Sequence, residues 1–460
     1  MSPLARPVPT LLLLGVAAAR SVAAPPSGDF SAARPGPAIV LNDDAGWCWF
    51  QDERALVHAG QLILGTVAGG RYDTARRGDV EVTSYDLATG RASRHTLHKN
   101  LQADDHAAPA LLARPDGRLL AVYSRHGTDG LVHYRLGTRP GDATAWGPEQ
   151  TFVPGERSRV TYSNLHRLAR ENGGRGRVYN FFRGYQASFK PSWMYSDDDG
   201  TTWTAGGLLI DFPAKTLHRP YAKYASDGQD TVHVLFTEGH PRDYDNSIYH
   251  AYYRSGRLHR SDGTPIGELA SGPIRPDQAT RVFAGDRDNV AWTQDLHLDA
   301  DGRPYVVYSV QKDSAGLPPG KGGVDHRYRY ARWDGTRWQD WEIAYAGTRL
   351  YPGEDDYTGG ICLHPNDPGV AFLSANVDPS TGKGLPGGHY EIFRGESADG
   401  GRTWRWAAVT SGSPIDNIRP VVPDWAGGPT ALLWLRGRYA SYTRYELEAV
   451  VRFLPRRMDP

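Results

Sequence analysis

The sequence predicts an all-β protein, a seven-bladed β-propeller, and two observations carry that expectation. A pattern of strand, tight turn and apolar strand recurs seven times at irregular but similar intervals along the 460 residues. Two further segments, SDDDGTTW (Ser196–Trp203) and SADGGRTW (Ser397–Trp404), share the form S-x-D-x-G-x-x-W, in which the acid and glycine shape a turn and the Trp packs between blades.

The copies follow in order. Blade one carries ALVHAGQLILGTV from Ala55, with an Ala-Gly turn, and blade two APALLARPDGRLLAVYS from Ala108, with Asp-Gly. Blade three, SNLHRLARENGGRGRVYNFF from Ser163, has a longer Gly/Arg-rich turn (Glu171–Arg177). Blade four is PYAKYASDGQDTVHVLFT from Pro220, and blade five TQDLHLDADGRPYVVYS from Thr293, both turning at Asp-Gly. Blade six is TGGICLHPNDPGVAFLS from Thr358 and blade seven IRPVVPDWAGGPTALLWL from Ile418. Only Tyr439–Leu454 follows, too little for a full blade, so the segment before Arg54 is expected to add a strand that closes the ring, giving seven four-stranded blades.

Arg6, the apolar run Thr10–Ala19 and Ser21-Val22-Ala23 read as an export signal over residues 1–23. Residues 24–37, rich in Pro, Gly and Ala, read as a disordered leader, and 38–460 as a single propeller domain. The protein is therefore expected to be secreted, extracellular or periplasmic. No other stretch approaches the length of a membrane span. Lys plus Arg and Asp plus Glu balance at 52 each, which gives no hint of nucleic acid or an anionic membrane. The 25 Tyr and 13 Trp could stack on sugars, although interblade packing explains any single Trp more simply. Two cysteines, Cys48 and Cys362, are too few for a disulfide scaffold, and sequence does not say whether they pair. Cys362 lies two residues before His364, on the same side of a strand, which leaves a zinc site open beside a buried thiol. Channel carboxylates leave a structural Ca²⁺ open as well.

In a propeller the residue before each first strand and the residue after each second strand meet at one mouth of the central channel. Here those positions hold Gln51–Arg54, Asp104–His106, Thr161–Ser163, His218–Tyr221, Trp292–Asp295, Asp355–Tyr357 and Asp416–Arg419. The returning set includes Ser124–Gly127, Phe182–Gly184, Gly239–Arg242 and Leu435–Gly437. Loop surfaces are polar anyway, but imidazoles, guanidiniums and phenols in a common phase point to an anion-binding or catalytic site. Arg suits a carboxylate or sulfate. Tyr, His and Arg without a tightly spaced carboxylate pair fit β-elimination of a uronate better than ordinary glycoside hydrolysis. One Tyr could exchange protons with both C5 and O4, provided neighbouring positive charge favours its phenolate.

The segments Gly46–Arg54, Asp104–His106 with Ser124–Gly127, Tyr162–Asn164 with Tyr179–Gly184, Arg219–Tyr224 with Gly239–Arg242, and Asp416–Pro420 with Leu433–Gly437 resemble the BNR-4 group of secreted propellers. That group includes ulvan lyases and L-rhamnose-α-1,4-D-glucuronate lyases. The resemblance implies a polysaccharide lyase with His106, His126, Tyr162 and Arg183 as the catalytic set. Arg219, Tyr221, Tyr224, His240 and Arg419 are the expected substrate-binding residues. The expected partner is a uronate-containing polysaccharide or oligosaccharide, acted on by a monomer without a cofactor. The long turn of blade three departs from the group and bears on Tyr162 most. Alternatives are an α-L-rhamnosidase using Asp104 or Asp105 with His106, and a non-catalytic glycan-binding propeller. A sialidase is disfavoured, because no set of three arginines with a Tyr/Glu pair is evident. The inserts Tyr253–Arg287 and Gln311–Arg327 are expected to wall the site.

Overall fold

In the computed structural model, residues 37–212, 219–313, 317 and 320–456 are described. The expected export signal and nearly all of the expected leader lie outside them, as does His218. Seven antiparallel sheets form seven blades: 55–98, 110–152, 161–208, 222–283, 290–347, 361–408 and, for blade seven, 416–454 together with 39–42. The expected closure is present. Strand Ile39–Asn42 is the outermost strand of blade seven and pairs with Arg444–Leu454.

Six blades have four strands, but blade four has six, a correction to the uniform count. The residues after Arg254 form a short hairpin, Arg257–His259 with Pro265–Glu268, and then Thr280–Phe283 pairs with Ile248–Arg254. Ile274 and Leu209 join this insert to blade three by a backbone hydrogen bond of 2.9 Å. It therefore widens the outer edge of blade four and does not wall the mouth. The described part of the other insert is held against the approach to blade six, where Asp355 accepts from Gly320 and Gly322.

Both Ser-x-Asp turns behave as their sequence demands. Asp198 accepts from the Thr202 N–H at 2.8 Å and Asp399 from the Thr403 N–H at 2.9 Å. Trp203 meets Tyr134 of blade two edge-on, and Trp404 packs on Tyr330 of blade five.

The channel is not open. Residues 47–54 cross it and touch an inner element of every other blade. Gln51 donates to the His106 carbonyl (2.8 Å), and the Asp52 N–H donates to Asn164 (2.9 Å). Phe50 stacks on Trp292 with centroids 4.0 Å apart and meets Tyr221 edge-on, while Trp49 meets Tyr357. The Trp47 carbonyl accepts from Arg419. This segment is the floor of the mouth where the inner strands begin. Beneath it, a cavity of about 570 Å³ opens on the far side, lined by Glu53, His166, His297 and Asp424 among others.

Candidate active site

Two local distortions aim side chains at the mouth. Pairing register breaks between Thr161 and Asn164 in blade three and between Ile418 and Val421 in blade seven. Within these bulges Tyr162 (φ 59°) and Arg419 (φ 55°) adopt the left-handed conformation that non-glycine residues avoid. Strain of this kind persists where surrounding structure fixes it, and it clusters at functional sites.

His106 lies in a one-turn 3₁₀ segment, Asp105–Ala107, capped by Asp104. Asp104 accepts from His106 Nδ1 through one oxygen (2.6 Å) and from His126 Nδ1 through the other (2.9 Å). The two imidazoles stack, with centroids 3.8 Å apart and planes 8° from parallel. Tyr162 lies 5.1 Å from His106 and 6.1 Å from His126, centroid to centroid. Asp105, fully buried, accepts from Arg419 (2.6 Å) and Tyr439 (2.9 Å).

Charge is divided within this group. Burial works against a charged His106, but surrounding acidic groups outweigh it and hold the imidazole well above its ordinary value. Those groups are Cys48 and Tyr162, then Asp104 and Asp105, whose carboxylates lie 2.6 and 2.8 Å from Nδ1. Burial and then the His106 charge push His126 below its ordinary value, against its bond to Asp104. His126 is thus neutral, and with Nδ1–H given to Asp104 its Nε2 keeps a lone pair. Burial holds Tyr162 well above the ordinary phenol value despite the His106 and Arg183 charges, and its hydroxyl is buried without a hydrogen-bond partner. The expectation that positive charge would favour the phenolate is corrected: desolvation wins, and Tyr162 keeps its proton.

Arg183, 3% exposed, donates to the Pro220 carbonyl (2.9 Å) and lies over the rings of Tyr221 (4.1 Å) and Tyr162 (4.8 Å). It makes no ion pair with a carboxylate among the described residues. A buried guanidinium without a counter-charge is costly unless an anion arrives.

The structure brings His106, His126, Tyr162, Arg183 and Tyr221 together. His240 lies beyond Tyr221, edge-on to it at 5.5 Å, and burial keeps it neutral. Arg219, on the same side, is paired with Asp243 (2.8 Å). Tyr224 is turned into the wall between blades three and four, stacked on Phe181 at 4.6 Å, and Arg419 lies under the imidazoles between Trp49 and Tyr439. Arg419, 1% exposed, does not face the mouth, whereas Tyr224 lines a small cavity together with Tyr162, Arg183 and Tyr221. The residue-by-residue reading missed Tyr442, whose ring stands edge-on to His106 (5.3 Å) and His126 (5.6 Å). Its signal was the unusual length of the blade-seven strands, Thr430–Ser441 and Arg444–Leu454, which carry that hairpin to the rim.

Metal-ligating groups do not converge on His364. Its Nε2 bonds Thr430 and its Nδ1 accepts from the Asn366 N–H, while both cysteines are buried free thiols. Glu53, Asp295 and His297, beneath the floor, bring ligand atoms within 4.8 Å of one another. One imidazole and two carboxylates suit zinc better than the all-oxygen shell of calcium, but His297 is raised to about 9 and Glu53 to about 7, so an imidazolium opposes a cation here too. At the mouth, Cys48, Asp104, Asp105, His106 and His126 form two overlapping sets, but imidazolium and the Arg419 cation oppose a metal there.

A seven-bladed propeller with a cationic, imidazole-bearing pocket at one mouth is the class that fold and site define. The profile of the BNR repeat-containing family matches residues 70–346, and the chain belongs to that family. Among solved structures, it resembles a PL25 ulvan lyase bound to -[GlcA(1-4)Rha3S]-, with 15% identity, 91% of this chain and 96% of that one covered, and a TM-score of 0.67. The polysaccharide lyase Uly1 is similar at 12% identity, 92% and 100% coverage, and a TM-score of 0.57. At these identities the likeness is one of fold. No curated protein matches the chain.

Proposed function

We propose that this protein is a polysaccharide lyase that cleaves an L-rhamnose-α-1,4-D-glucuronate bond by β-elimination. One observation carries the assignment: Arg183, a buried guanidinium without a carboxylate partner, lies beside a neutral imidazole and a protonated phenol. The substrate class is suggested by the GlcA–Rha ligand of the PL25 ulvan lyase that shares the fold. Arg183 pairs with the uronate carboxylate and so acidifies the C5 proton. His126 Nε2 takes that proton, and the C–H electron pair becomes the C4–C5 double bond. The C4–O4 bond breaks towards O4, which receives the Tyr162 phenolic proton. The proton on His126 then returns to the phenolate through solvent. Syn elimination, as glucuronate requires, needs acid and base on one face, and Tyr162 and His126 are neighbours on one side of the mouth. The His106 imidazolium adds positive charge as the carboxylate gains enolate character. No step is assigned to a metal, and an exported protein acting on an extracellular glycan belongs to the same proposal.

The test is incubation with ulvan and with gum arabic while following the ultraviolet absorbance of the unsaturated uronate. Products that lack it, or equal turnover of a carboxyl-reduced substrate, would overturn elimination.

Hydrolysis has one observation in its favour, and it is not the expected pair. Asp104 and Asp105 are tied up as ion pairs. Asp356, across the mouth, is instead raised by burial and then by Glu354 to about 8, and so stays protonated. Under that reading Asp356→Asn abolishes turnover; under elimination it does not.

A further inference from the structure

Blade one supplies a rim loop, residues 68–79, beside the blade-seven hairpin. Asp44, fully buried, accepts from the N–H groups of Gly69 (2.7 Å), Gly70 (2.9 Å) and Arg71 (3.1 Å), which fixes the loop. Gly70 (φ 84°) passes so close to the Arg77 stem that a Cβ there would lie 2.9 Å from it. What this rigid loop presents is unusual for a solvated edge. Tyr72 is 68% exposed, with the Arg71 guanidinium over its ring at 4.7 Å. Arg76 is consumed by Asp43 and Glu81, and Arg71 approaches Glu448 at 3.6 Å. Arg77 is exposed and pairs with no carboxylate among the described residues; it donates to the Thr443 carbonyl (3.2 Å). Thr443 follows Tyr442, the residue that stands against both imidazoles, so the loop is continuous with the catalytic cluster.

We propose, resting on the polysaccharide-lyase reading above, that Tyr72 and Arg77 form a second subsite for an anionic sugar of the same polymer, beyond the bond that is cut. Tyr72 offers an aromatic platform for the apolar face of a pyranose ring, and Arg77, held at one terminal nitrogen by the Thr443 carbonyl and without a carboxylate partner among the described residues, offers its remaining N–H groups to a carboxylate or sulfate. Tyr442, next to the Thr443 whose carbonyl Arg77 holds, links Arg77 to the catalytic imidazoles. An extended chain, not a single terminal sugar, is the ligand that reaches both places.

The test compares binding of ulvan and of a glucuronate–rhamnose disaccharide to the full chain carrying His126→Ala, with and without Tyr72→Ala and Arg77→Ala together. Both added positions are exposed, and matching melting temperatures check that the fold is kept. The expected result is ulvan affinity weakened about tenfold, the loss of one aromatic and one ionic contact, with disaccharide affinity unchanged. Unchanged ulvan affinity, equal loss of both ligands, or no ulvan binding by the parent overturns the subsite. Ultraviolet absorbance of unsaturated products, followed in parallel with His126 intact, reports on the lyase reading separately: its absence removes elimination and leaves the binding comparison standing.

Discussion

In the proposed elimination, Arg183 is the residue on which the chemistry turns. Arg183→Ala is expected to lower kcat by roughly 10²–10³, because the contact strengthens as the carboxylate gains charge in the transition state. Arg183→Lys rescues little, since a point charge does not replace a fork. Steady-state kinetics showing only a raised KM would reduce it to a binding role. The histidines predict a pH profile. In the proposed mechanism His126 is the neutral base, and because it is pushed below the ordinary imidazole value of 6.5, the acid limb of kcat/KM should lie below that value. In the same mechanism His106 acts as a cation, and because it is raised, the alkaline limb should lie well above that value. Asp104→Asn removes the carboxylate that orients both rings; it should shift both limbs as well as lower kcat, which a merely structural change would not do. Sequence pattern placed His106, His126, Tyr162 and Arg183 at one mouth, because strand starts and ends meet there by geometry. It could not show that Tyr162 stays protonated, because desolvation depends on Phe50 and Tyr221, which come from distant segments.

At the scale of the element, the closing strand does more than pair its backbone. Asn42 donates to Glu81 (3.0 Å) and also to Thr66 and Thr83 (both 3.3 Å), clamping blade seven to blade one. Asn42→Ala leaves these buried acceptors short of a donor and should cost about 1–3 kcal/mol in denaturant unfolding. The repeats were legible because each inner hairpin turns on residues suited to a tight reversal, such as Asp-Gly. The extra strands of blade four were not. Arg257–His259 and Pro265–Glu268 are short and largely exposed, so they lack the apolar alternation that marks a buried strand. The channel-crossing segment stood out by composition, but its path is set by partners on six blades, which no local pattern encodes.

Across the whole molecule the floor separates two compartments that should answer to mutation differently. Beneath it, burial opposes a charge on His297, but Asp295 and then Glu53 raise it to about 9. A raised imidazole stabilises the fold fully below its unfolded value near 6.5, and that contribution fades as pH rises through about 9. His297→Ala should therefore lower the melting temperature more at pH 6 than above the alkaline transition, and leave KM for the proposed polymer substrate unchanged. A changed KM would mean that the two compartments communicate. The ring closure has a further consequence, for the order of assembly. Ile39–Asn42 is made before blades one to six, and its pairing partner Arg444–Leu454 after them. Until then blade seven has no outer strand, and the exposed edges of blades one and seven are open to other chains. This contact of greatest sequence separation carries a large loop-closure cost, which slows folding. Crowded expression should therefore cause losses in ring closure, through swapped or joined rings, more than through failure of any single blade.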